Sequence, residues 1–292
     1  MAKELHELLS ELVEQYTGSP FRPTQVEACH GGCIHHSGIH SDGERRFFVK
    51  MNGPNALAMF EAEANGLRAM GEAGAIRVPK VVGHGVAGGQ SILVLEALDL
   101  GCSAGKSGWQ KMGEQLAQLH RSLGESHGWD GDNFIGASPQ PNRRRSSWTE
   151  FFVEERLRFQ FELAEGKGMN FDGWEAFLEV AASRLKGHQA EPSLLHGDLW
   201  SGNAGFTSAG EPVIYDPACY HGDRECDLAF SEFFGGFPES FYKAYRQAWP
   251  LDPGYEERRD LYNLYHVLNH ANLFGAGYAG QAQSMMRSLG DL

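Results

Sequence analysis

Two short stretches hold the residues with the most chemistry in them. His196-Gly197-Asp198-Leu199-Trp200-Ser201-Gly202-Asn203 sets an Asn five residues after an Asp, and Val213-Ile214-Tyr215-Asp216-Pro217 ends a short apolar run on a second Asp. Moving a γ-phosphoryl group asks a protein for little covalent help and for much positioning and charge neutralisation. Asp198 would orient an acceptor hydroxyl and take its proton. Asn203 and Asp216 offer the hard oxygen donors that magnesium accepts. Either stretch alone also reads as a polar turn beside a helix cap; together, with a strand between them, they point to phosphoryl transfer from ATP with Mg2+.

The kinase catalytic loop reads His-Arg-Asp with an Asn five after the Asp, and here the middle residue is Gly197 while the spacing is kept. Asp216-Pro217-Ala218 stands where that pattern has Asp-Phe-Gly. Upstream, Cys29-His30-Gly31-Gly32-Cys33 leads through the turn pair Asp42-Gly43 to the strand-like Phe47-Phe48-Val49-Lys50-Met51. Gly31 and Gly32 would bring backbone N–H groups to ATP phosphates, and Lys50 an ammonium. In the next helical pattern Phe60, Glu63, Leu67 and Met70 share one face. A carboxylate on a buried face is costly unless paired, so Glu63 needs a cation, and Lys50 is the candidate. The strand Ser91 to Leu98 ends near Glu96 and Leu98, whose backbone would read the adenine edge.

Two rival chemistries share these segments. Cys29, Cys33, His35, His36 and His40 are all metal-ligand types, but a structural zinc site has a second ligand pair at fixed spacing, and none follows. Gly101-Cys102-Ser103-Ala104-Gly105-Lys106-Ser107 is one residue short of the Walker pattern, so an interlobe linker is the better reading.

The elements that must position these groups follow from periodicity. Leu5, Leu8, Leu9, Leu12, Val13 and Tyr16 share a helical face that ends at Thr17-Gly18-Ser19-Pro20. Three later stripes read as helical core: Trp109, Met112, Leu116, Leu119 and Leu123; Trp148, Phe151, Phe152, Glu155 and Phe159; Trp174, Phe177, Leu178, Ala181 and Leu185. Asp227, before Leu228-Ala229-Phe230, reads both as a helix N-cap and as a brace for the catalytic loop. At 292 residues and 41% hydrophobic, the chain can bury one large or two modest cores. A net charge of -13 argues against a non-specific nucleic-acid binder. The N-terminus has no signal core, and no apolar run approaches the roughly eighteen residues that span a bilayer, so no membrane partner and a cytoplasmic location are expected. Five cysteines without regular spacing fit a reducing compartment.

Only about ten residues separate Asp216 from Asp227, too few for the activation segment that docks a peptide in protein kinases. The acceptor should be a small molecule. At this point the chain resembles the fructosamine (ketosamine) kinases over nearly its whole length. The motifs are Gly31-Gly32-Cys33-Ile34, Phe48-Val49-Lys50, Met59 to Glu63, Asn133-Phe134-Ile135-Gly136, Gln140-Pro141-Asn142, Trp148 with Phe151-Phe152, Arg156-Leu157, His196 to Asn203 and Asp216-Pro217-Ala218. The resemblance implies an α+β, two-lobed protein-kinase-like fold, with a nucleotide-binding N-lobe over 1–97 and a helical catalytic lobe over 98–292. It implies ATP-dependent phosphorylation of the sugar 3-hydroxyl of ketoamines, free or on glycated lysines, in protein deglycation. It also implies a redox-sensitive thiol at Cys33, which on oxidation would join two chains into a homodimer. The amides of Asn133, Gln140 and Asn142 are read as polyol contacts or turn formers. Aminoglycoside- or choline-type kinases, and a pseudokinase that only binds nucleotide, are the alternatives.

Overall fold

The computed structural model describes residues 2–29, 35–101 and 104–290. The chain divides into two compact units, Met1–Gly108 with Gly202–Pro217, and Trp109–Ser201 with Ala218–Leu292. Sequence reading draws one boundary near Ala97; the packing brings a second segment, Gly202–Pro217, into the first unit.

The first unit is built on a five-stranded antiparallel sheet of β1 (Gln25–Cys29), β2 (His36–Ser41), β3 (Arg46–Asn52), β4 (Val81–Ala87) and β5 (Gln90–Glu96) in the order β1-β2-β3-β5-β4. Successive side chains alternate faces along a strand. Phe47 and Val49 on β3 join Ile92 and Val94 on β5 in one apolar layer, covered by Leu9 and Val13 of α1 (Ala2–Thr17). Helix and sheet approach closely because β4 carries Gly83, where a Cβ would stand 2.8 Å from Leu12 Cδ2. Tyr16 keeps the helical spacing but is exposed. On β3, Lys50 pairs with Leu93 in register, and alternation sends its side chain away from Val49. Helix α2 (Leu57–Ala73) packs on β4 and β5 through buried Phe60, Ala64, Leu67 and Met70, and ends where Gly74 takes a left-handed conformation.

A second, small sheet explains why Gly202–Pro217 belongs here. Strand Ala204–Thr207 pairs antiparallel with Pro212–Ile214 and, on its other edge, with Leu100–Gly101. Arg77 bridges to Val213 and donates the Arg77 N–H groups to Glu96 and toward Glu211 at 2.6 and 3.7 Å.

The second unit is mainly helical. It holds most of α3 (Gly105–His120), a continuous helical run over 148–166, α4 (Trp174–Arg184), α5 (Glu225–Phe233), α6 (Glu239–Ala248), α7 (Tyr255–Phe274) and α8 (Ala276–Gly290). Two short hairpins accompany them: Ser193–Leu195 paired with Tyr220–Gly222, and Asn133–Ile135 paired with Ser138–Gln140. Phe151, Phe152, Phe161, Phe177, Leu261, Leu264 and Leu268 lie in one core. Within the 148–166 run, Phe152–Arg158 is π-helical, which rotates the buried stripe: Arg156, Leu157 and Gln160 are buried where a 3.6-residue period points to Phe159. Leu123, at the end of the first expected stripe, lies beyond α3 and is exposed.

Candidate active site

In the first unit, Lys50 Nζ lies 2.7 Å from Glu63 Oε1 and 2.5 Å from Asp216 Oδ1. The pairing of Glu63 with Lys50 thus has the geometry that the α2 face requires. Lys50 is 5% exposed, and burial alone would disfavour its charge; the two carboxylates more than offset this and hold the ammonium above its ordinary value. Burial raises the Glu63 carboxyl above the usual carboxylate range, with Lys50 opposing. Asp216 keeps an open side, its side chain 44% exposed. Its φ is +58°, a left-handed conformation that Asp tolerates better than most residues and that clusters at functional sites.

Asn203 and Asp216 come together by strand register. Ala204 pairs with Ile214, and the Tyr215 N–H donates to the Asn203 carbonyl at 3.0 Å, so the two residues stand at the same end of one hairpin. An amide oxygen and a carboxylate there suit a hard, oxygen-seeking cation such as magnesium. His35 feels the charges of Lys50 and Asp216: burial, then the Lys50 charge, push its pKa down to about 4, so the ring is neutral, and its Nδ1 is 2.9 Å from Asn52 Nδ2. Glu96 ends β5 with its carboxylate engaged by Arg77 and by the Lys80 N–H, and its own N–H donates to the Lys80 carbonyl at 2.8 Å; Leu98 follows, half-buried. Gly31, Gly32 and Cys33 lie outside the described residues. Among the described residues, Cys29, His35, His36 and His40 do not gather at metal-ligand distance. Lys106 and Ser107 of the short Walker-like stretch are exposed in the first turn of α3.

In the second unit, Asp198 is half-buried on the loop after strand Ser193–Leu195. The loop is held from below by Asp227. Its Oδ2 accepts the His196 N–H at 2.7 Å, its Oδ1 accepts the Gly197 N–H at 2.8 Å, and His120 Nε2 stands 3.1 Å from Oδ2. Burial would raise the Asp227 pKa, yet the hydrogen bonds and the two histidines hold it below the ordinary value. Asp227 lies inside the first turn of α5, after an N-cap at Arg224, so the bracing role stands and the capping role does not. Gly197 has φ +79°, and a Cβ there would fall 2.1 Å from the Ala218 carbonyl oxygen. That accounts for Gly in place of the Arg of the kinase pattern.

Asn133, Gln140 and Asn142, read as polyol contacts or turn formers, are buried and bond to one another and to nearby backbone carbonyls. Asn133 Nδ2 donates to the Cys219 carbonyl at 2.7 Å, and Gln140 Nε2 to Asn133 Oδ1 at 2.7 Å and to the Ala218 carbonyl at 3.2 Å. Asn142 Nδ2 donates to Asn133 Oδ1 at 2.8 Å, Arg156 to Asn142 Oδ1 at 2.7 Å, and Tyr265 to Gln140 Oε1 at 2.6 Å. Arg156 is fully buried and stacks on Tyr220, its guanidinium 4.0 Å from the ring centre. This network fixes the two residues that follow Asp216-Pro217, and sequence spacing gave no sign of it.

Among curated proteins, a probable ketoamine kinase of Synechocystis sp. is 47% identical over 280 residues, covering 96% of this chain and 95% of its own. A chloroplastic protein-ribulosamine 3-kinase of Arabidopsis thaliana is 42% identical, covering 92% of this chain and 83% of its own. The crystal structure of a candidate fructosamine-3-kinase from Haemophilus somnus superposes with a TM-score of 0.92 at 33% identity, covering 99% and 97% of the two chains. An aminoglycoside phosphotransferase at 15% identity and a TM-score of 0.64 shares the fold alone, which is α+β and protein-kinase-like. The fructosamine kinase family matches residues 5–291, and the chain belongs to that family.

Proposed function

We propose that this chain transfers the γ-phosphoryl group of ATP to the 3-hydroxyl of the sugar in a ketoamine, a fructosamine or ribulosamine carried by a small amine or by a protein lysine. The observation that carries this reading is Lys50 bridging Glu63 and Asp216, with Asn203 at the same hairpin end. Lys50 holds ATP phosphates, kept in register by Glu63. Asn203 and Asp216 hold magnesium, which supplies charge neutralisation at the transferring phosphate when bound. Gly31 and Gly32 cover the phosphates, and the backbone at Glu96 and Leu98 reads the adenine.

Asp198 accepts the proton of the acceptor hydroxyl as the phosphoryl group is transferred, and Asp227 keeps its loop in place. Phosphorylation at the 3-hydroxyl gives a product that decomposes and frees the amine, which is the chemistry of protein deglycation. A second element of the reading concerns Cys33: its oxidation joins two chains and lowers activity.

The test is product analysis after incubation with Mg-ATP and a panel of acceptors. Fructosyl- and ribulosyl-lysine should be phosphorylated on the 3-hydroxyl; their 3-deoxy analogues and choline should not. If choline or a kanamycin-type compound outperforms every ketoamine in kcat/KM, the acceptor is wrong although the kinase chemistry stands. If no acceptor is phosphorylated and ATP is only bound, the chain is a pseudokinase.

A further inference from the structure

Among the described residues the large, exposed aromatic side chains are Tyr16, Trp200, Phe234 and Phe274, and the last three belong to a single ridge. The ridge begins on the catalytic loop, at Trp200, two residues after Asp198. Ring centres step from Trp200 to Phe234 at 5.9 Å, from Phe234 to His270 at 5.4 Å and from His270 to Phe274 at 5.6 Å. Tyr278 closes the far end, 5.0 Å from His270. Beneath it, buried Phe230 stacks on His266 at 3.6 Å and meets the Phe234 ring at 5.7 Å, so the ridge has a rigid backing. Burial pushes the His270 pKa down, which leaves its ring uncharged among the aromatic ones.

Substrate chemistry says what lies along such a ridge. In a ketoamine the phosphorylated hydroxyl is on C3 and the amine nitrogen on C1, so an acceptor engaged by Asp198 carries its amine within a few bonds of the reacting oxygen, and Trp200 is two residues from Asp198 along the chain. A lysine stem and its ammonium suit an aromatic face. A free amine would need only the first ring. From Trp200 to Phe274 the rings step at 5.9, 5.4 and 5.6 Å, room in all for at most about five residues of extended chain at roughly 3.3 Å per residue.

We infer that the ridge of Trp200, Phe234, His270, Phe274 and Tyr278 receives the amine carrier, and that the carrier it favours is an extended polypeptide segment bearing the glycated lysine. This rests on the function proposed above and sharpens its substrate. Apolar residues flanking the lysine pack on Phe234 and Phe274, and the ridge discriminates between carriers without taking part in the transfer.

The experiment compares fructosyl-lysine amide with a seven-residue peptide centred on fructosyl-lysine and flanked by Leu and Phe, on wild type, Phe274→Ser and Phe234→Ser. Binding is read by fluorescence anisotropy of the labelled peptide, and turnover by kcat/KM. Wild type should prefer the peptide by at least about tenfold, the worth of one well-buried apolar side chain. Phe274→Ser should erase most of that preference while leaving kcat/KM for the free ketoamine within about twofold of wild type. Equal kcat/KM for the two acceptors, or a peptide affinity unchanged in both variants, overturns the inference. So does self-association of the wild type that both variants abolish with no change in peptide affinity, since the ridge is then an interface between copies. Should no ketoamine be phosphorylated at all, the proposed function falls, while the anisotropy arm still judges the ridge.

Discussion

Asp227 Oδ1 stands 2.8 Å from the Gly197 nitrogen, which ties the first turn of α5 to the residue directly before Asp198. The same carboxylate holds His196, so one buried side chain sets the course of the loop that carries Asp198. Asp227→Asn keeps the shape but exchanges one acceptor oxygen for a donor that faces an N–H. Turnover should fall by at least about tenfold with the ATP KM little changed, because a misplaced base costs rate rather than nucleotide affinity. Asp227→Ala should also lower stability by about 3 kcal/mol or more in urea unfolding, the usual cost of breaking a buried charged network. Wild-type turnover in the Asn variant would remove Asp227 from the positioning of Asp198.

The carboxylates assigned to chemistry should separate by their kinetics. Asp198→Asn should retain ATP binding and lose about two to four decades of kcat, the range of a positioned general base. Asp216→Ala should weaken magnesium-dependent nucleotide binding as well, seen by titrating a fluorescent ATP analogue with and without Mg2+. Near-normal turnover in either purified variant sinks the corresponding role.

Gly197→Ala gives a purely structural test. It places a methyl group on the Ala218 carbonyl at a backbone angle that side chains avoid. A loss of at least about 2 kcal/mol is expected, from strain at a left-handed position before the clash is counted. An unchanged unfolding midpoint would mean that the loop relaxes freely around this residue.

His188 gives a pH dependence. Its Nε2 lies 2.7 Å from Asp223 Oδ2; burial opposes protonation, but the Asp223 carboxylate wins and raises the His188 pKa. A raised folded pKa means stability that is fully present below the ordinary histidine value of about 6.5 and lost as pH rises through the folded value. The stability that His188 contributes should therefore be larger at pH 6 than at pH 8, and His188→Gln should lose more stability relative to wild type at pH 6 than at pH 8. Parallel pH profiles of melting temperature in the two proteins would rule the pair out as the cause.

The thiol outside the described residues is tested on gels. After mild peroxide, wild type should run as a disulfide-linked dimer with lowered activity, and Cys33→Ser should do neither. A dimer of equal intensity in the variant excludes Cys33.

What the sequence disclosed depended on whether the informative partner was near in the chain. Glu63 could be placed opposite a cation because its helical face is written in the residues three and four away, and Asn203 with Asp216 because a single hairpin joins them. The amides of Asn133, Gln140 and Asn142 could not, since their partners Ala218, Cys219, Tyr265 and Arg156 are distant in sequence and no local period marks them. Arg156 was further hidden by the π-helical segment, which carries it into the core out of step with the regular helical stripe. Asp227 was legible as a brace for the loop thirty residues earlier, but the helix cap also read from its position does not form, because the helix already starts at Glu225.

The division of the chain carries a consequence for its inheritance. Asn203 and Asp216 sit on a hairpin that completes the first unit from nearly a hundred residues downstream of Gly108. A fragment cut at Gly108 would keep Lys50 and Glu63 but lose Asp216, and with it one of the two carboxylates that hold the buried ammonium. A contiguous module can be shuffled between genes by one crossover at each end; the first unit cannot. Recombination among relatives should accordingly exchange sequence within the units far more readily than it exchanges the units themselves.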